Sequence, residues 1–154
     1  MKKYLVAAFV ALLGVSNATA QENKTIEVFE CEANKLTVEG STLICTGFGH
    51  LVFPKMDYSN YTGINFEAAN FEKLDEKATG AVCSLKIEYT KNGETVKTSM
   101  GFYRTGKKKI EFKSFKDEKQ GVISIDPSTI TKVSIGMGKN KKVDINNIVL
   151  VAKK

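Results

Sequence analysis

Residues 82–104 read VCSLKIEYTKNGETVKTSMGFYR, and this stretch decides the fold class. Apolar side chains alternate with polar ones on both sides of a central Asn92-Gly93 pair. A period of two places alternate side chains on opposite faces of a β-strand. Asn-Gly is the strongest short signal for a hairpin, because both residues tolerate positive φ. The stretch therefore predicts two antiparallel strands, over 82–90 and 95–104, joined by a tight turn.

The same alternation continues through most of the chain from residue 25 onward, and no long stretch keeps the period of a helix. Turn-forming residues interrupt it about every 8 to 12 residues, a spacing typical of sandwiches and jelly rolls. The sequence predicts an all-β fold, an antiparallel β-sandwich of jelly-roll type with about nine or ten strands. In the last strand the apolar phase slips between Ile145 and Ile148, which predicts a β-bulge at Asn146-Asn147.

The first twenty residues, MKKYLVAAFVALLGVSNATA, place two lysines before an apolar run that ends in small residues. This pattern is typical of a secretory signal peptide over 1–20, and the run is too short for a transmembrane helix. We expect residues 21–154 to form a single sandwich domain. Because no cysteine follows the cleavage site, the mature chain is expected in the periplasm, outside the cell or at its surface, and not as a lipoprotein.

The net charge is +6, and without the predicted signal peptide 21 basic residues face 17 acidic ones. Lysines can release counterions from the phosphates of nucleic acid. An exported chain rarely meets nucleic acid, and the arginine and aromatic clusters that read bases are absent, so no nucleic-acid partner is expected. Anionic glycans and membrane surfaces are the remaining electrostatic partners. The alternative is that the positive charge only keeps the protein soluble.

The chain has three cysteines, Cys31, Cys45 and Cys83, so at most one disulfide can form within one molecule. Export permits such a bond, and the short adjacent N-terminal strands favour Cys31 with Cys45. Cys83 alternates with apolar residues and is interpreted as a small buried hydrophobe.

An enzyme is not expected from this sequence. Glycoside hydrolysis needs two carboxylates held at a fixed separation, one with a raised pKa, whereas the 17 acids are scattered among lysines. With one histidine and no G-x-S-x-G motif, a nucleophile lacks its base. A small hydrolase stays open as the weakest alternative.

Five residues are candidates for ligand binding. Alternation places Tyr103 on the polar face beside Lys97, where a phenol flanked by Arg104 could stack on a sugar and hydrogen-bond its hydroxyls; a cross-strand aromatic contact on a solvated face is the alternative. His50, the sole histidine, follows Gly47 and Gly49 in a loop that a ligand could approach. The fifth candidate is Tyr58. The lysines of 107–109 and 139–142 are interpreted as solvated turns and edge-strand guards.

Two segments carry a family resemblance. DYSNYTGINFEA (57–68) resembles the D-x-S-x-Y-x-x-L opening strand of galactose-binding-like sandwich domains, common in secreted proteins of Bacteroidetes-type bacteria and related to carbohydrate-binding modules. ITKVSIGMGKNKKVDINNIVLVAKK (130–154) is similar to the closing strand pair of that family. The resemblance implies a non-catalytic domain that binds a glycan, through loops at one end or on the concave face.

The resemblance also implies that Tyr61 is a packing hinge before an inward set of Ile64, Phe66 and Ala68. The side chains of Asp57 and Ser59 are suited to hold the preceding turn by hydrogen bonds to the backbone.

Related modules often carry a calcium ion that joins the first and last strands, and Glu30 and Glu32 lie in a suitable first strand. The family pattern has an aspartate where this chain has Asn146, so no cofactor is expected, with a carbonyl-rich calcium site as the open alternative. The predicted function is a secreted carbohydrate-binding module, with an acidic glycan as the finer prediction. The alternative is a structural or protein-interaction domain that meets an envelope protein and has no sugar ligand; the oligomeric state stays open.

Overall fold

A computed structural model describes residues 21–154, and the predicted signal peptide over 1–20 lies outside the described residues. The described part contains thirteen strands, more than the nine or ten predicted, because several have only three residues, too few to show alternation. The strands are β1 (Lys24–Ile26), β2 (Glu32–Asn34), β3 (Thr37–Glu39), β4 (Thr42–Cys45), β5 (Gly49–Val52), β6 (Tyr61–Lys73), β7 (Cys83–Lys91), β8 (Glu94–Phe102), β9 (Gly106–Glu111), β10 (Phe115–Asp117), β11 (Gly121–Ile123), β12 (Ile130–Met137) and β13 (Lys141–Ala152). Short 3-10 helices span Val28–Glu30, Phe112–Ser114 and Pro127–Thr129.

The strands form two large antiparallel sheets, which confirms the predicted all-β sandwich. The six-stranded sheet has the order β3-β4-β13-β6-β9, and β1 also pairs with β13. The five-stranded sheet has the order β2-β5-β12-β7-β8, and β10 and β11 form a separate hairpin. Because β12 lies between β5 and β7 while β13 lies between β4 and β6, the chain passes from one sheet to the other at its C-terminal end.

The core lies between the two sheets and is built from the apolar positions of alternating strands. Tyr61, Ile64, Phe66 and Ala68 of β6 are all buried in it, as the sequence predicts. Cys83 is also buried in the core, which confirms its interpretation as a small hydrophobe. Burial of such side chains is the main favourable term in folding, at roughly 25 cal/mol per Å² of apolar surface.

The predicted hairpin between β7 and β8 is present. Lys91 pairs with Glu94 across a turn in which Asn92 and Gly93 have φ of 53° and 80°. Positive φ at both central residues is the geometry that suits the right-handed twist of the two strands.

The predicted bulge in the last strand is also present. The pairing of β13 with β6 shifts register between Asn146 and Val149, and Asn147 has a φ of 53°. The extra residue lets both Ile145 and Ile148 point into the core, although they are three positions apart.

No helix in the described residues is long and apolar enough to cross a membrane.

Candidate functional site

The outer face of the five-stranded sheet presents its side chains in cross-strand rows. Residues that pair directly across antiparallel strands project from the same face. One row consists of His50, Gly136, Ser84 and Gly101; the next of Val52, Ser134, Lys86 and Ser99; the third of Lys132, Glu88 and Lys97.

Small residues at the middle of these rows leave a depression, here called the sheet groove, with a volume of about 330 Å³. Ser99 and Ser134 line it together with longer side chains, among them His50, Lys86, Glu88, Lys97, Glu118 and Lys132. A Cβ on the neighbouring Gly136 would come within 2.8 Å of Ser84 Oγ and 2.9 Å of Lys86 Cε. The glycine therefore lets the Lys86 side chain cross β12 close to the sheet.

The hairpin of β10 and β11 forms the wall of the groove beside β8. The Asp117 carboxylate accepts hydrogen bonds from the Thr98 hydroxyl and from the backbone N–H groups of Ser99, Lys119 and Gln120. The Glu118 N–H donates to the Ser99 carbonyl at 2.9 Å. These bonds fix the hairpin to the edge of the sheet.

The Asp117 carboxylate is 7% exposed. Burial alone would raise its pKa, but the hydrogen bonds from Thr98, Ser99, Gln120 and Lys119 outweigh burial and hold the pKa at about 2. The sequence pattern does not single out this residue. Its only signal is an acid placed before the Gln120-Gly121 turn, a pattern shared by many loops that lie on no wall.

The charges of the groove are unevenly paired. Glu88 lies 3.8 Å from the Lys97 ammonium and 4.0 Å from that of Lys132. Within residues 21–154, neither Lys86 nor Lys119 lies within salt-bridge distance of a carboxylate. Four lysines and three carboxylates line the groove, so it presents a small excess of positive charge to a ligand.

His50 lies at one end of the groove on β5. Its Nδ1 is buried and has no hydrogen-bond partner among the described residues. Burial lowers the pKa of the ring, and the neighbouring Lys86 and Lys132 ammonium groups lower it further. The imidazole is therefore neutral near pH 7 and retains an unused polar atom.

The structure brings two of the five predicted ligand residues, Lys97 and His50, into the same groove. The glycine before His50 serves a different purpose from the one predicted. Gly49 is buried where a Cβ would collide with the Lys35 carbonyl, so it accommodates the backbone of the chain rather than a ligand.

Tyr103 follows β8 at the end of the first row, and its side chain is 70% exposed. Its Cε2 lies 3.4 Å from the position of a Cβ on Gly101, which Glu118 also approaches. The ring therefore lies next to the groove, without lining it. Arg104, the next residue, is exposed. Its backbone carbonyl accepts a hydrogen bond from the Lys108 ammonium at 2.7 Å.

The prediction that Tyr58 faces a ligand is wrong, because its side chain is only 2% exposed. Ser59 N–H donates to the Asp57 carboxylate at 2.8 Å, and Tyr61 N–H donates to the Tyr58 carbonyl at 3.0 Å. This turn, which uses Asp57 as predicted, directs the Tyr58 ring into the core. Burial raises the pKa of its phenol, with a smaller contribution from Cys31.

The predicted bond between Cys31 and Cys45 is absent, and all three cysteines are free thiols. Cys31 precedes β2 of the five-stranded sheet and its thiol contacts the Glu27 carbonyl at 3.6 Å. Cys45 ends β4 of the six-stranded sheet and contacts the Gly47 carbonyl at 3.4 Å. The Cys31 thiol therefore lies before the five-stranded sheet and the Cys45 thiol in the six-stranded sheet, and the two meet different neighbours.

Glu30 and Glu32, the residues considered for calcium, do not share a first strand, because Glu30 ends a 3-10 helix and Glu32 begins β2. The Glu30 carboxylate accepts a hydrogen bond from the Glu27 N–H at 2.8 Å, across a single turn of 3-10 helix. Within residues 21–154, no group of three or more His, Cys, Asp or Glu side chains is arranged to hold a metal ion.

No known protein family matches the chain in sequence, and no curated protein matches it. Among solved structures, it is similar to a family 11 carbohydrate-binding module from Clostridium thermocellum in complex with a beta-1,3-1,4-mixed-linked tetrasaccharide. The identity is 16% and the TM-score 0.47, over 84% of this chain and 95% of that one.

A second family 11 module, from a cellulosomal cellulase of Clostridium thermocellum, is 17% identical with a TM-score of 0.45, over 86% of this chain and 87% of that one. An exo-beta-agarase is 13% identical with a TM-score of 0.42, over 86% of this chain but only 24% of the agarase.

Proposed function

We propose that this protein binds carbohydrate in the sheet groove and catalyses no reaction. The observation that carries the proposal is a sheet floor that includes Ser99 and Ser134, between walls of hydrogen-bonding side chains. Its volume of about 330 Å³ lies within the range of small-molecule sites. Serine hydroxyls, carboxylates and ammonium groups together supply the donors and acceptors that sugar hydroxyls require.

The finer proposal is that the glycan is acidic. Lys86 and Lys119 line the groove without a carboxylate partner in the described part of the chain. Hydrogen bonds between ammonium groups and anionic oxygens are roughly twice as strong as neutral ones. A carboxylate or sulfate on the sugar would supply the missing partner.

Tyr103 extends this proposed site at one end. Its exposed ring, held beside Gly101, offers an apolar face to a second sugar unit of the same chain. Arg104 directly follows Tyr103, and its guanidinium can reach a hydroxyl or a carboxylate of that unit.

A binding role without catalysis agrees with the state of the groove carboxylates. A glycosidase needs one carboxylic acid with a raised pKa, whereas the hydrogen bonds to Asp117 hold its pKa at about 2. The Asp117 carboxylate is therefore not suited to donate a proton to a leaving sugar. Glu88 is paired with two lysines.

A panel of neutral, carboxylated and sulfated polysaccharides tests the proposal with the protein from residue 21 onward. Lys86→Ala is expected to weaken binding of an acidic glycan by about tenfold or more. Lys109→Ala removes the same charge from an exposed position on β9 of the other sheet and is expected to leave binding unchanged. Absence of binding to every polysaccharide, or equal losses in both variants, would remove the proposal.

A protein partner is the second candidate, favoured by Phe29, whose ring is 84% exposed in the 3-10 helix after β1. It lies beside a separate cleft that Asn146 and Asn147 also line. Co-purification from the cell envelope, with wild type compared to Phe29→Ser, distinguishes this candidate. A stoichiometric protein that survives glycan competition and is lost in the variant would favour it over the glycan. Either ligand agrees with the predicted export to the periplasm or the cell surface.

A further inference from the structure

We propose that His50, Lys86 and Lys132 form a subsite for the anionic substituent of an acidic glycan, and that His50 takes up a proton when this substituent binds. The substituent is a carboxylate or a sulfate. The inference rests on the proposed function, because it assigns one part of the sheet groove to one chemical group of the ligand.

The geometry of the three side chains supports this assignment. The Lys86 stem crosses β12 within 2.9 Å of the Cβ position on Gly136, and His50 Nδ1 lies 3.3 Å from the same position. One small residue therefore brings an ammonium stem and an imidazole together on the groove floor. Lys132 projects from the same face of β12, and all three side chains line the groove.

The buried Nδ1 of His50 is the second observation that indicates a ligand. Most buried polar atoms in folded proteins have a hydrogen-bond partner, and an unpartnered one destabilises the folded state. His50 Nδ1 has none among residues 21–154. An anionic oxygen in the groove would accept a hydrogen bond from the protonated ring.

The charges that face His50 come from three elements. Lys86 and Glu88 lie on β7, Lys132 lies on β12, and Lys35 lies in the turn before β3. Glu88 is the only acid among these four and is paired with Lys132 at 4.0 Å. Burial of the ring, together with the remaining positive charge, keeps the imidazole neutral without a ligand, and an anion among these groups would favour the protonated ring.

Groups on the β10–β11 hairpin line the far side of the same groove. They are Asp117, which is fully engaged by donors, together with Glu118 and Lys119. Glu118 approaches Gly101 at the opposite end of the row from His50. The Glu118 carboxylate therefore lies away from His50, and the end of the groove at His50 is positively charged.

Proton uptake follows from linkage. If the bound anion raises the pKa of His50 by one unit, the anion binds about tenfold more tightly below both pKa values than above them. The proton comes from solvent, and one proton at most is taken up for each anion bound at the subsite. A neutral glycan offers no charge to the imidazolium, so its affinity does not rise as the pH falls.

Nuclear magnetic resonance tests this without a mutation, because His50 is the only histidine of the chain. In an untagged protein, the ring protons of His50 are followed between about pH 5 and 8, with sodium sulfate, sodium glucuronate or methyl glucoside at matched ionic strength. We expect sulfate or glucuronate to raise the pKa of His50, by about one unit at saturation, and methyl glucoside to leave it unchanged.

The two anions distinguish a sulfated ligand from a carboxylated one. Lys86→Ala is expected to abolish the rise in the pKa of His50, while Lys109→Ala is expected to retain it. A pKa of His50 that neither anion changes would overturn the inference, even if glycans bind the groove. A shift with sulfate in a protein that binds no polysaccharide would support the anion subsite and count against the carbohydrate proposal alone.

The second measurement is the pH dependence of acidic glycan binding in wild type and His50→Gln. The glutamine keeps a polar side chain at this position but does not titrate. We expect wild type to bind more tightly as the pH falls from 8 to about 5, and the variant to bind equally at both ends. A wild-type affinity that is the same across this range would contradict the coupling.

Discussion

At the scale of single residues, Asp117 joins the stability of the fold to the shape of the groove. Its carboxylate accepts four hydrogen bonds and holds the hairpin wall against β8. Because the groove depends on this wall, a change at Asp117 is expected to affect both stability and binding.

Asp117→Asn is expected to lower the free energy of unfolding at pH 7 by about 2 kcal/mol. The pKa of Asp117, at about 2, is lower than the ordinary value of 3.8. The carboxylate therefore stabilises the fold above about pH 4, and this contribution is lost as the pH falls toward 2. Urea denaturation at pH 7 and across the acid range measures it.

Glu118→Gln is the control for this prediction. It removes the charge of a neighbouring exposed side chain and keeps the backbone hydrogen bond of residue 118 to Ser99. Its stability is expected to remain close to that of wild type. If Asp117→Asn and wild type lost stability in parallel between pH 4 and 2, folding would not lower the pKa of Asp117.

Tyr58→Phe is expected to keep or raise stability, by about 1 kcal/mol at most. The Tyr58 hydroxyl is buried and has no hydrogen-bond partner among the described residues. Removing it relieves an unsatisfied polar group and leaves the ring in the core. Thermal unfolding measures the change, with Tyr103→Phe as an exposed control. A loss above about 1 kcal/mol would reveal a partner for the hydroxyl.

Burial of particular residues was the least predictable feature from the sequence. Alternation correctly placed Lys97 on the outer face of β8. It gave no information on Tyr58, because a turn residue has no strand phase. Lys141, interpreted as solvated, is 2% exposed and donates a hydrogen bond to the Ala81 carbonyl. This acceptor lies in the loop between β6 and β7, and the packing of that loop cannot be inferred from alternation.

At the scale of elements, the bulge in β13 keeps one long strand in phase with the core on both sides. Asn147 takes the left-handed conformation there, with a φ of 53°. For most residues with a Cβ, this conformation costs roughly 1–2 kcal/mol, whereas Asn and Gly adopt it more readily.

Asn147→Val is therefore expected to lower the free energy of unfolding by about 1–2 kcal/mol, and Asn147→Gly is expected to change it little. The neighbouring Asn146→Val is the matched control, because Asn146 does not have positive φ. Chemical denaturation compares the three variants. Equal losses in Asn147→Val and Asn146→Val would show that the bulge conformation is not the cause.

The length of an element decided whether the sequence could predict it. The strands around Asn92-Gly93 have nine residues each, so their alternation is unambiguous. β10 and β11 have three residues each and carry no period. The hairpin wall of the groove, together with Asp117, was missed for this reason.

At the scale of the whole molecule, the two sheets share one core but differ on their outer faces. The five-stranded sheet carries the groove, whose lysines outnumber their carboxylate partners. The strand order that places β12 between β5 and β7 brings His50, Lys86 and Lys132 together. Sequence alternation assigns each residue a face, but this strand order, which depends on long-range packing, decides which strands are neighbours.

The excess charge of the groove predicts a dependence on salt. The affinity for an acidic polysaccharide is expected to fall as sodium chloride rises from 0.05 to about 0.5 M, because screening shortens the Debye length below about 10 Å. The affinity for a neutral polysaccharide is expected to change little. Calorimetric titration at several salt concentrations measures both. An acidic ligand whose affinity is independent of salt would contradict a role for the unpaired lysines.

The central claim is that a glycan binds on the outer face of the five-stranded sheet, and amide chemical-shift mapping tests it most directly. The tightest-binding glycan of the polysaccharide panel is titrated into isotope-labelled protein. We predict that the largest shifts cluster at His50, Ser84, Lys86, Ser99 and Ser134, and weaken toward β9 and β13. Shifts centred on the six-stranded sheet, or on Phe29 and its cleft, would contradict the account.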